Sequence, residues 1–348
     1  MDYKEFLSRM AENLKERLPD AEISIQSVNK LQGLSYEGIC IRANDRSIGE
    51  TMNMEPFYQA FMDGASYGEI IRQVAQVAEE HMALIPELDS DPLSDYSQVK
   101  GMLTVDVVGK ELNGDMLEQI PHRDMEDLSV VYRIVVGEIP DMGRASVVVT
   151  NEMLNRYGVT PEQLHQDALE NAARSKPAMI RGMQDVISEM MPVDMPMPGA
   201  EPAVPFLVAT NSDMFHGAGV IAYPDFMEQA SKMVDGDFFI LPSSVHEVLI
   251  LKDGPGMDYK DLEEMVSEVN GTMVSQEDKL SDHVYHYDAK EKVFERADKF
   301  AARSRGEMQK DSVLDELKKL GKQVEQKKLA EPARDQRNMP NRTANVSL

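Results

Sequence analysis

Residues 129–136, SVVYRIVV, and residues 144–150, RASVVVT, are two β-branched runs on either side of Pro140, Asp141 and Gly143. Apolar runs bounded by turn residues predict paired antiparallel strands, and their near-continuous apolar character predicts a sheet covered on both faces. Residues 102–108, MLTVDVV, offer a further strand of the same kind. Between these strands a short helix is expected over 110–117, leading into IPHRDMEDL at 120–128. On the far side, Thr160, Pro161 and Gln163 read as an N-cap, a first helical residue and a capping partner, starting a helix that carries Leu164, Ala168 and Ala172. Another helix is expected from Ala178 to Met190.

Upstream, Asp2 and Glu5 form a capping box for a helix whose Phe6, Met10, Leu14 and Leu18 recur every fourth residue. The alternating runs AEISIQSV and LSYEGICIRA flank Gln32 and Gly33 and predict a hairpin, and Ser66 with Glu69 begins a helix through Ile70, Val74, Val77 and Met82. Downstream, FLVAT, GVIAY, DFFILP and HEVLIL read as strands. Pro224 and Asp258 open helices, and VYHYDAKEKVFE reads as a hairpin turning at Asp288 to Glu291.

Acidic residues 86–99 and the stretch holding Pro192, Pro196, Pro198, Pro202 and Pro205 lack periodicity and read as connectors. The expected architecture is therefore α+β: small helix-plus-antiparallel-sheet units at 1–85, 100–191 and 206–300, joined by acidic and Pro-rich connectors. Residues 301–348 complete it as a charged helix and a partly disordered tail.

The chain has 348 residues, with 36 Lys and Arg against 61 Asp and Glu, a net charge of −25. That balance repels polyphosphate and anionic lipid, so neither nucleic acid nor membrane is an expected partner. The C-terminal 48 residues are the exception, with 11 basic against 7 acidic residues. The first residues, MDYKEFLSRM, lack the apolar core of a secretion signal, and no run approaches the roughly 20 apolar residues of a membrane span, so a cytoplasmic location is expected. Cys40 alternates with apolar neighbours and is expected to be a small buried residue.

Few residues have the chemistry of a site. Pro242, Ser243 and Ser244 interrupt two strands, with His246 and Glu247 entering the second. Alternation lets Ser244 and His246 share a face while Glu247 points away, so a serine hydrolase is the alternative reading and a serine-capped turn the simpler one. His122 and Arg123 stand at a helix-to-strand junction, where a guanidinium fork and an imidazole can hold an acid or pair with Asp124, Glu126 and Asp127. Asn211, Ser212 and Asp213 follow a strand, with His216 and Gly217 just beyond, which is a position for a ligand-holding loop or an Asx turn. His283 and His286 lie three apart on a strand and so face opposite sides. With no HExxH, CxxC or phosphate-loop spacing, no metal and no cofactor is expected.

Taken in order, IPHRDMEDLSVVYRIVV, VTNEMLNRYGVTPEQLHQDALENA, ATNSDMFHGAGVIAY, FFILPSSVHEVLIL and LSDHVYHYD resemble an uncharacterised bacterial domain-of-unknown-function family of Gram-positive gut anaerobes over roughly residues 1–300. The run from Val131 to Leu251 is more distantly similar to the YtpQ-like uncharacterised proteins, in which a shorter Pro-His stretch stands in place of PSSVHE. The resemblance implies a bacterial cytoplasmic protein and assigns no reaction. The function expected from the residues is that of a non-enzymatic binding or adaptor protein for a protein or small-molecule ligand. Its candidate ligand-binding residues are His122, Arg123, Asn211 and His246, and the alternative is a hydrolase using Ser244 and His246.

Overall fold

The computed structural model describes residues 1–29, 31–33, 35–44, 49–84, 92–139, 143–190 and 206–305. Helix α1 (Tyr3–Arg17) begins where the Asp2 carboxylate accepts the Glu5 N–H at 2.8 Å, satisfying one of the free donors of the first turn. Its Phe6, Met10 and Leu14 are fully buried. They pack on a three-stranded antiparallel sheet of β1 (Ala21–Asn29), β2 (Ser35–Ala43) and β3 (Glu50–Asn53), with α2 (Glu55–Met62) and α3 (Tyr67–Leu84) completing the layer. Strand β3 escapes the sequence pattern because its four residues are too short to alternate visibly. Cys40 is half-buried, with Ser24 and Thr51 as its cross-strand neighbours, rather than in the core.

The next segment comprises α4 (Tyr96–Val99), β4 (Leu103–Gly109), α5 (Lys110–Leu117), β5 (His122–Met125), β6 (Leu128–Ile139), β7 (Gly143–Val148), α6 (Asn151–Tyr157) and α7 (Pro161–Ser175). Its four strands form one antiparallel sheet in which β6 pairs with β4, β5 and β7. Strand β4 is buried along its whole length, as a sheet covered on both faces requires.

Then come β8 (Ala178–Gly182), α8 (Met183–Met190), β9 (Leu207–Asn211), α9 (Phe226–Val234), β10 (Phe238–Pro242), β11 (Val248–Lys252), α10 (Tyr259–Thr272), β12 (Tyr285–Asp288) and β13 (Val293–Arg296). They build a six-stranded antiparallel sheet in the order β13-β12-β10-β11-β9-β8. Two expectations change here. Ala178–Gly182 is an edge strand beside β9, not the first turn of a helix, because pairing with a formed sheet outweighs local helix propensity. GVIAY is a 3-10 turn over Gly217–Ala222, pressed so close to β4 that a Cβ on Gly219 would stand 2.8 Å from the Val105 carbonyl oxygen.

The stretch 192–205 does not separate two cores. Tyr132, Ile134 and Val105 of the four-stranded sheet, Leu164 and Ala168 of α7, and Phe238, Ile240 and Ile250 of the six-stranded sheet all belong to one apolar cluster. Each of the Val, Leu, Ile and Phe side chains among them contributes about 1.5–3 kcal/mol on burial. The whole of Met1–Ala297 forms one compact unit. The N-terminal layer is latched to it by Gln32, whose N–H donates to Asn113 Oδ1 and whose side-chain oxygen accepts from Asn113 Nδ2 at 2.9 Å. Gln32 and Gly33 have φ of 73° and 68°, and a Cβ on Gly33 would lie 2.9 Å from the Leu112 carbonyl oxygen, so the turn needs both left-handed backbone and a missing side chain.

Residues 298–305 are helical and belong to a second unit, Asp298–Leu348. The Pro-rich connector and the tail beyond residue 305 lie outside the described residues. Among the described residues no helix is long and apolar enough to cross a membrane.

Candidate functional site

Strand β9 delivers Asn211, whose side chain shapes the loop that follows: its Oδ1 accepts the Asp213 N–H and its Nδ2 donates to the Phe215 carbonyl, both at 3.0 Å. The loop then turns through two non-glycine residues in left-handed backbone, Met214 at φ 53° and His216 at φ 51°. Such conformations cost L-residues roughly 1 kcal/mol or more and persist only where surrounding contacts hold them. Here the holding contacts are visible. The His216 N–H donates to Nδ1 of His246 at 3.1 Å, and Thr210 Oγ1 donates to the His246 carbonyl at 2.8 Å. An imidazole that accepts an amide N–H on Nδ1 carries its proton on Nε2, which lies 3.2 Å from Asp278 Oδ1. Both nitrogens of His246 are thus engaged, Nδ1 with the loop and Nε2 with Asp278.

The His216 ring is placed differently. Its Nδ1 is 3.4 Å from Oδ2 of Asp106, a carboxylate only 4% exposed. Arg133 Nε bonds the same oxygen, and Arg133 Nη1 donates to Ser146 Oγ at 3.3 Å. Asp106 and Arg133 come from neighbouring strands: Asp106 is opposite Val131 and Thr104 opposite Arg133, so the two charges are diagonal neighbours on one face of the sheet. Burial lowers the His216 pKa from its ordinary 6.5. Asp106 opposes that shift, while Arg133, His246 and Lys176 reinforce it. Over both imidazoles stands Phe215, 49% exposed, with its ring centroid 4.3 Å from that of His216 and 5.1 Å from that of His246.

Three of the residues singled out in the sequence, Asn211, His216 and His246, are brought together here, the His216 amide linking the loop to His246. Ser244 lies beside them but does not bond the His246 ring. Residues 243–247 form a loop between β10 and β11, so strand alternation does not apply, and Glu247 faces the serines instead of pointing away: Ser243 and Ser244 donate to its Oε1 at 3.1 and 2.9 Å. The Ser244 oxygen also accepts the His246 N–H at 3.0 Å, as a turn-capping serine does. His122 and Arg123 separate, because both lie on β5 and successive residues point to opposite faces. His122 lies in the same cross-strand row as Val131 and Asp106, on the His216 side, with Nδ1 3.1 Å from the Ile120 carbonyl oxygen. Arg123 faces the other way, toward Tyr132 and His165, where its charge adds to burial in lowering the His165 pKa.

Two imidazoles lowered by burial give a defined acid response. His165 and His216 stay neutral in the folded chain at a pH where the unfolded chain, with an ordinary value of 6.5, takes up protons. Stability is therefore full above about pH 6.5 and is lost as pH falls through the folded values. We expect urea midpoints to drop as pH falls below about 6.5 and His216→Gln to flatten that slope. A slope unchanged in His216→Gln would contradict it.

The sequence model of a family of unknown function, DUF5688, matches residues 3–289. The chain belongs to that family. No curated protein and no solved structure matches it. The family match spans all three sheets up to Asp288, the last residue of β12, and it carries no assigned activity.

Proposed function

We propose that this DUF5688 member is a non-enzymatic binding protein whose ligand seats on the 211–217 loop, against the ring of Phe215 and the Nε2 edge of His216. The observation that carries this reading is His216 itself. It is a partly exposed imidazole in strained backbone, with Nδ1 turned to a buried carboxylate and Nε2 without a hydrogen-bond partner among the described residues. Strain of this kind is maintained where a side chain must be aimed. With its proton on Nδ1 beside Asp106, the ring offers a lone pair on Nε2, so the ligand class is one with an O–H or N–H donor. Exposed Met214 and Phe215 suit an apolar group on the same ligand.

The hydrolase alternative asks for an activated serine, and the Ser244 hydroxyl is engaged with Glu247. A fluorophosphonate probe is expected to leave Ser244 unlabelled. Labelling that disappears in a folded His246→Ala protein would reverse the assignment. The binding reading is tested by titrating a library of small hydroxyl and amide compounds, followed by NMR. Shifts should cluster at 210–217 and 244–246, and His216→Ala should weaken binding at least tenfold. A cytoplasmic bacterial setting and a distant relation to the YtpQ-like proteins are part of the same proposal, supported by the resemblance over Val131 to Leu251. The net charge of −25 supports a partner that is neither nucleic acid nor membrane.

A further inference from the structure

At the opposite end of the six-stranded sheet from the loop, three strands bring a second group of side chains together. Phe238 is opposite Lys252 in the β10–β11 ladder, so Asp237 and Asp253 face each other one residue beyond it, and the Asp253 N–H donates to the Asp237 carbonyl at 2.9 Å. On the other edge of β10, Phe239 is opposite His286. Residues two apart on a strand share a face, so Asp237, Asp253 and His286 converge on the side that carries Phe239. One ligand-capable atom of each lies within 4.8 Å of the others.

His286 is fully buried, its Nε2 is 3.2 Å from Asp253 Oδ2, and the Phe239 ring packs edge-on against it at 5.0 Å, which fixes the imidazole plane. The Ala289 N–H donates to one Asp237 oxygen at 2.8 Å and orients that carboxylate from outside. Asp237 and Asp253 are only partly buried, so solvent reaches the group from their side. His283, three residues away, points elsewhere and meets Glu263 Oε1 at 3.3 Å.

We propose that Asp237, Asp253 and His286 form a binding site for one divalent transition-metal cation, with Zn²⁺ as its first representative. Two carboxylates held this close repel, and the one proton on Nε2 of an imidazole can serve only one of them, whereas a dication satisfies all three groups at once. The chemistry of the set matches: Zn²⁺ takes nitrogen and carboxylate oxygen at about 2.0–2.2 Å, which puts neighbouring ligands about 3.4 Å apart, near the spacing of His286 and Asp253. An imidazole among three ligands favours such an ion over Mg²⁺ or Ca²⁺, which take oxygen. A fourth position opens to water on the Asp237 and Asp253 side. The sequence concealed the site because its three residues are 16 and 33 positions apart.

The test is Zn²⁺ titration of the chelator-stripped full chain by calorimetry, with melting temperature as a second readout. We expect one equivalent bound, a rise in melting temperature on saturation, and no displacement by millimolar Mg²⁺. Asp253→Asn and Asp237→Asn each keep the side-chain shape. Each should weaken Zn²⁺ binding at least tenfold with an unchanged circular dichroism spectrum, which avoids reliance on a fully buried histidine whose removal could unfold the chain. Absence of stoichiometric binding by the wild-type protein overturns the site. So does wild-type affinity in both asparagine variants, or binding abolished by His216→Ala and not by Asp253→Asn.

Discussion

Asp106→Ala is expected to lower the stability of the folded chain by about 3–5 kcal/mol, because it strands Arg133 in a largely buried position with its counter-charge gone. The Asp106 side chain is 4% exposed and that of Arg133 19%, so water can replace little of what the pair loses. Asp106→Asn should cost less, since an amide oxygen still accepts from the guanidinium. Arg133→Ala combined with Asp106→Ala should cost clearly less than the two single changes together, because the second removes a charge the first has already orphaned. Urea unfolding of the wild type and the four variants measures this. A loss below about 1 kcal/mol for Asp106→Ala would mean that the pair is solvated and that His216 does not stand beside a low-dielectric carboxylate.

Gly217→Ala is expected to destabilise by about 3 kcal/mol and to dismantle the 211–217 loop. An added Cβ would lie 1.9 Å from Thr210 Oγ1, 2.4 Å from the His246 carbonyl oxygen and 2.8 Å from the Asn211 nitrogen. Thr210 could rotate away, at the loss of its bond to His246, but the other two atoms are backbone. Gly114→Ala is the internal comparison: nothing lies within 4 Å of its Cβ position on α5, so that change should be neutral or stabilising by up to about 1 kcal/mol. Amide spectra should show 210–217 displaced in Gly217→Ala alone. A Gly217→Ala protein as stable as wild type would refute the close approach of the loop to the 243–247 turn.

Much of this fold was legible because its elements obey local rules. The Asp2 and Thr160 caps, the every-fourth-residue stripe of α1 and the apolar runs of β4, β6 and β10 each state their own structure. The failures share one cause, which is information held in partners distant along the chain. Ala178–Gly182 looks helical until β9 is beside it, and GVIAY looks extended until Gly219 is set against Val105. The site follows the same pattern. Asn211 and His246 were visible as polar residues near strand ends, but their link, an amide of one loop on the imidazole of another, is tertiary. A weaker signal was available. Asp106 is the lone acid in MLTVDVV and Arg133 the lone base in SVVYRIVV, and two solitary opposite charges in adjacent apolar strands must find each other or remain unsatisfied.

The placement of β8 bears on how this protein can be divided. A strand that precedes the Pro-rich stretch forms the border of a sheet whose other five strands follow it. Residues 100–190 removed as a module would carry away that border and leave β9 with an open row of amides and carbonyls. Residues 206–297 alone would lack both the border and the apolar surface that Tyr132 and Leu164 provide. The proline-rich stretch is therefore not a seam at which the two halves could be inherited or exchanged separately.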